Sequence, residues 1–242
     1  MLSEAQTILL AFAFLTSTLA ATVGMGGGML LLACMPGLLP ASALLPVHAV
    51  TQLVSNASRV LFDWRHIEWR LVPPMLLGAF AGAALGSGVY RVLAGDLLTG
   101  LIGLFILVMT WVPLPHMRAS GRGSLFLLGF YQTGLGMVVG ATGPLGATVL
   151  SRIRRERDWL VVNTGVSMCI NHAFRTAAFV LLGFSFQGLL PLLAGLALAV
   201  SAGSWLGTRL RWRIPAYDFS RWFRWLMTLL ALRMIVLAIP WP

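Results

Sequence analysis

The sequence contains no lysine and only seven acidic residues. Charged residues make up 10% of the chain, against about 25% in a soluble domain. So little charge cannot cover the surface of a water-soluble protein of 242 residues. That excludes an ordinary soluble enzyme, a disordered chain and a nucleic-acid-binding domain. The two cysteines, Cys34 and Cys169, lie in apolar stretches and have no metal or disulfide spacing. They read as small buried apolar side chains. The four histidines, His48, His66, His116 and His172, are scattered and form no paired ligand motif. There is no GxSxG element and no phosphate-binding loop. No enzymatic activity, metal or cofactor is therefore expected.

What is present is apolar: 58% of the residues are hydrophobic, and the mean hydropathy is +0.87. A polytopic membrane protein follows. Apolar segments run over 5–23, 26–39, 44–62, 71–92, 97–114, 124–140, 143–151, 158–182, 188–208 and 220–239. The first contains a run from Ile8 to Ala21, but Glu4 and the lack of a preceding arginine disfavour a cleavable signal. Segments 26–39 and 143–151 fall short of the ~20 residues of a full span. Each follows a glycine cluster and reads as a half-helix or re-entrant segment. Trp64, Trp69, Trp111, Trp159, Trp212 and Trp241 near segment ends suit an interfacial belt.

All 17 basic residues are arginine, and the formal net charge is +10. Most of them fall in or beside four loops: Arg65 and Arg70; Arg118 and Arg122; Arg152, Arg154, Arg155 and Arg157; and Arg209, Arg211, Arg213, Arg221 and Arg224. The positive-inside rule places those loops in the cytoplasm. This holds only if 5–39 and 124–151 each enter and return. Both termini are then expected outside, in a multi-pass protein of the cell (inner) membrane.

The result is an all-α membrane protein of two inverted-topology repeats, each a glycine-broken return segment plus three transmembrane helices. The first repeat spans 1–114, a cytoplasmic linker 115–123, and the second repeat 124–242. At an offset of 116, Gly24 pairs with Gly140, Gly27 with Gly143, Thr51 with Ser167, Ser55 with Asn171, and Arg59 with Arg175. At an offset of 121, the stretch Ala81–Gly86 matches Ala202–Gly207. Inverted repeats are a common plan of secondary transporters.

Two segments carry a polar stripe at helical spacing: His48, Thr51, Ser55, Arg59 and Asn163, Ser167, Asn171, Arg175. Arginine at mid-bilayer costs at least ~2.5 kcal/mol on insertion scales, so each stripe faces a helix or a wet cavity. The acidic residues all sit at segment ends or in loops, so none is available within the apolar segments to pair with Arg175. An unpaired buried cation suits an anion. The alternative is an arginine bonded to helix-end carbonyls or lipid headgroups, and Thr51 and Ser55 serve equally as helix-packing groups. His48 and His172 are pathway or packing residues. The clusters Gly24–Gly28 and Gly140–Gly146 allow helix breaks that aim half-helix N-termini at the membrane centre. Close helix packing is the other reading of the same glycines.

These motifs resemble those of the sulfite exporter TauE/SafE family. The likeness rests on Gly24-Met25-Gly26-Gly27-Gly28, the Thr51–Arg59 stretch, Gly143-Pro144, and Ala-Gly-x-x-Leu-Gly in both halves. The resemblance implies a secondary transporter of a small sulfur-containing anion: sulfite, thiosulfate, a sulfonate or a related organic acid. The expected substrate contacts are Arg175, Asn171, Ser167, Arg59, Ser55, Thr51, Gly26, Gly27, Gly28, Thr142 and Gly143. The expected partners are that anion and the lipid bilayer, with a homo-oligomer left open. An anion channel and a non-catalytic membrane subunit of a complex are the competing readings.

Overall fold

The computed structural model describes residues 3–24, 26–93, 95–112, 121–211, 213 and 219–239. The linker expected at 115–123 lies outside the described residues except for 121–123, as do His116, Arg118, Trp212, Asp218 and Trp241. Ten α-helices are described: α1 Glu4–Val23, α2 Gly27–Cys34, α3 Ala41–Phe62, α4 Val72–Val92, α5 Gly95–Trp111, α6 Arg122–Val139, α7 Gly143–Leu150, α8 Arg157–Leu181, α9 Leu190–Leu210 and α10 Phe219–Leu237. No named strand occurs among the described residues.

Helix starts and stops follow local chemistry. α1 begins in a capping box: Ser3 Oγ accepts from the Gln6 amide at 3.2 Å, and Gln6 Oε1 accepts from the Ser3 amide at 2.9 Å. α1 and α6 end at corresponding glycines in left-handed backbone, Gly24 at φ 97° and Gly140 at φ 75°. A side chain at either position would be strained. The helices that follow, α2 and α7, have eight residues each. At 1.5 Å per residue each is about 12 Å long, less than half of a ~30 Å hydrocarbon core.

Three helical stretches are long and apolar enough to cross a membrane: Glu4–Val23, Trp69–Val92 and Gln187–Leu210. They and their neighbours show apolar residues outward, as with Leu77, Phe80 and Leu85 on α4 and Leu198 on α9. α3 and α8 are also long, but they carry the polar stripes. They pack against each other, α3 also against α9 and α8 also against α4. Their polar residues His48, Thr51, Ser55, Arg59, Asn163, Ser167, Asn171 and Arg175 are all buried. Apolarity is thus lowest where protein, not lipid, surrounds the helix.

The packing is reciprocal. α1 lies on α9 as α6 lies on α4, and α10 lies on α5. At the two matching contacts glycine lets backbones touch. A Cβ on Gly203 or Gly207 would strike the Phe14 or Thr18 carbonyl, and one on Gly82 or Gly86 would strike the Phe130 or Gly134 carbonyl. The residues on both sides of these contacts correspond at the offsets found in the sequence.

One end of the molecule gathers the C-terminal ends of α1, α3 and α9 and the start of α8. Arg211 Nη1 donates to Asp63 Oδ2 at 3.1 Å and to Asp158 Oδ1 at 3.0 Å, and its Nε donates to the Ala21 carbonyl at 3.0 Å. Arg211, grouped in the sequence with the arginines that flank a loop, is 2% exposed, since two carboxylates from other helices meet it. The cross-links are invisible to local pattern because the partners lie 148 and 53 residues away.

Candidate functional site

The two glycine breaks face one cavity of about 40 Å³. One water needs roughly 10–15 Å³ on this measure, so the space suits a ligand of a few heavy atoms. The first break contributes Gly24 and Gly26–Gly28, the second Gly140–Pro144. α3 contributes His48, Gln52, Asn56 and Arg59, and α8 contributes Thr164, Met168 and His172. Among the described residues, no acidic side chain lines it.

α2 and α7 both start at this cavity, and neither start carries a side-chain cap. The first-turn N–H groups of a helix have no α-helical acceptor, and each N-terminus carries roughly half a positive charge. At α7 this leaves the Gly143 amide, since Pro144 has no N–H and the Leu145 amide donates to the Thr142 carbonyl at 3.2 Å. Two such termini in one small space form an electropositive pair. Arg59 adds a full charge. It is 5% exposed; its Nη1 donates to the Ala20 carbonyl at 2.9 Å, its Nη2 donates to Asn56 Oδ1, and its Nε has no partner.

Arg175 is fully buried and lies outside the cavity lining. Its Nη1 donates to the carbonyl of Gly140, the residue that closes α6, at 3.0 Å and to His172 Nδ1 at 3.2 Å. Among the described residues, its Nε and Nη2 have no partner and no carboxylate pairs with it. Arg175 therefore holds the second break in place and lends its charge from behind the wall. Of the two sequence readings of this arginine, the bond to a helix-end carbonyl is present in the structure.

Of the other expected contacts, Gly26, Gly27, Gly28, Thr142 and Gly143 line the cavity. Thr51, Ser55, Ser167 and Asn171 lie outside the lining; Ser55, Ser167 and Asn171 link α3 and α8 to neighbouring segments, whereas Thr51 bonds within α3. Thr51 donates to the Val47 carbonyl at 2.8 Å, and Ser55 bonds to Ser17 at 2.8 Å. Ser167 donates to Gln132 Oε1, and Asn171 donates to Thr142 Oγ1 at 3.1 Å. Gln52, Asn56 and Thr164 were absent from the sequence reading. The steps of four from His48 to Gln52 to Asn56 carried the signal on α3. The ring of His48 meets that of His172 edge-on, with centroids 5.7 Å apart, so each of the two central helices contributes one imidazole.

A family model described as Sulfite exporter TauE/SafE matches residues 9–234 of the chain. No curated protein and no solved structure matches it. The match covers nearly the whole chain: the protein belongs to the TauE/SafE family and is a membrane transport protein.

Proposed function

We propose that this member of the TauE/SafE family is a secondary transporter of a small sulfur-containing oxyanion, with sulfite as the model substrate. The substrate binds in the cavity between the two glycine breaks. One observation carries this reading: two uncapped helix N-termini and Arg59 converge on a space of about 40 Å³ that no carboxylate lines. Each helix terminus favours an adjacent anion by about 0.3–1 kcal/mol, and more where it is desolvated. Gln52, Asn56 and the Thr142 region supply neutral hydrogen-bonding groups. The size favours sulfite over a bulkier organic sulfonate.

Transport follows by alternating access. The two repeats, 1–114 and 124–242, rock against each other around the site, and their topologies are inverted. The reciprocal packing of α1 on α9 and α6 on α4 supports the repeat. The meeting of Asp63, Asp158 and Arg211 supports a common side for the chain ends at 62–63, 157–158 and 210–211. With the loop arginines, that side is the cytoplasmic one and both termini face outward. The inner membrane is the assigned location.

Flux into proteoliposomes across sulfite, thiosulfate, a short sulfonate and acetate tests the reading. Saturable flux of sulfite, with weaker flux of the larger sulfonate, is expected. Flux that rises linearly with concentration would instead mark a channel, and no flux of any of the four would remove the transport assignment.

A further inference from the structure

Among the described residues, three side-chain atoms of the cavity lining are buried without a partner: Arg59 Nε, Thr164 Oγ1 and His48 Nδ1. His48 Nε2 lies 2.9 Å from the Gly28 carbonyl oxygen. A carbonyl oxygen only accepts, so Nε2 carries the proton and Nδ1 of the neutral ring is a bare acceptor. That Nδ1 is buried without a partner. His48 is 1% exposed and lines the cavity. The second imidazole is fixed in the same tautomer, but its accepting nitrogen is already occupied. Arg175 Nη1 only donates, so His172 Nδ1 accepts at 3.2 Å and the proton of that ring sits on Nε2. Of the three unpartnered atoms, Arg59 Nε only donates and Thr164 Oγ1 can donate, so His48 Nδ1 is the one among them that needs a hydrogen.

We propose that His48 determines which protonation state of the substrate binds. The site takes the monoprotonated oxyanion, whose O–H donates to His48 Nδ1 while its charge meets Arg59 and the starts of α2 and α7. This rests on the reading of the cavity as the anion site. A fully deprotonated dianion has no hydrogen to offer and sets its own lone pairs against that of Nδ1. The charged and titratable groups around His48 are His172 and Arg175 from α8 and Arg59 from α3 itself, while α2 presents the Gly28 carbonyl. None is a carboxylate. The proton then crosses the membrane on the substrate, and the lack of an acidic residue in the apolar segments is no obstacle to coupling.

Calorimetric titration of the purified full chain with sulfite at a series of pH values tests this, with methanesulfonate as the second probe. Methanesulfonate has the single charge and three oxygens but no O–H. The apparent Kd for total sulfite is expected to rise about tenfold per pH unit above the second pKa of the anion, as the monoprotonated fraction falls. Methanesulfonate is expected to bind at least about tenfold more weakly than the monoprotonated form, with no such rise. His48→Phe keeps a ring and removes the acceptor, and the ratio between the two probes is expected to fall to the smaller preference that size alone gives. A sulfite Kd that stays flat with pH, equal affinity for the two probes in the wild type, or an unchanged ratio in His48→Phe would each overturn the proposal while leaving the anion site intact. Binding of neither probe would overturn the site itself and this proposal with it. The pH and analogue measurements on the wild type decide the matter even where the variant does not fold.

Discussion

At the residue scale, two buried arginines divide the work. Arg59 lines the cavity, whereas Arg175 stands behind it and bonds the carbonyl that ends α6. Arg175→Ala removes the partner of the Gly140 carbonyl and of His172 Nδ1. Leaving buried polar atoms unpaired costs about 1–3 kcal/mol. The variant is expected to lose transport together with a lowered unfolding temperature in detergent, the two falling in step. Normal stability with lost transport would assign Arg175 to direct substrate contact. The sequence showed that both arginines are buried without acids, since charge in apolar helices has few other readings. It did not show which one reaches the cavity. On α3 the positions Thr51 and Ser55 sit about 100° from Gln52 and Asn56, and which of the two faces meets the cavity is set by how α3 crosses α8 and α9.

At the scale of elements, the spans were legible and the contacts between them only partly so. Glycine runs after apolar segments marked the breaks at Gly24 and Gly140, because a positive φ ends a helix there. The repeated Ala-Gly-x-x-Leu-Gly stretch was legible as a repeat, and the structure gives its physical cause. Gly203 lets α9 touch α1 at the Phe14 carbonyl, and Gly82 lets α4 touch α6 at the Phe130 carbonyl. Gly203→Leu is expected to push α9 off α1 and destabilise the fold by about 1–3 kcal/mol. Thermal unfolding in detergent checks this, and an unchanged midpoint would mean that the two backbones are not in contact. Gly88, where an added Cβ meets nothing within 4 Å, is the matching control and is expected to tolerate alanine.

For the whole molecule, the proposed topology makes the arginine excess chiefly a record of orientation. Arg152, Arg154 and Arg155 follow α7 in the short loop before α8, and Arg154 pairs there with Glu156. A single cysteine at Arg155 in a Cys34→Ser, Cys169→Ser background is expected to react with an impermeant maleimide only after the cytoplasmic face is opened. Reaction from outside would reverse the topology. Arg211 shows where the charge pattern misleads: it counts as a loop arginine in the sequence, yet it bridges Asp63 and Asp158 inside the fold. Long-range pairs of this kind are set by the tertiary arrangement, and no local pattern reports them.

The central claim is that a small oxyanion is held in the cavity beside Arg59. Titrating sulfite into purified wild-type, Arg59→Gln and Arg70→Gln proteins at one pH tests it most directly. Arg70 is an exposed surface residue, with 94% of its side chain accessible. A charge-assisted hydrogen bond contributes about 1.5–3 kcal/mol, so Arg59→Gln is expected to weaken binding by about tenfold or more. Arg70→Gln is expected to match the wild type. Equal affinity in the wild type and Arg59→Gln would contradict the account.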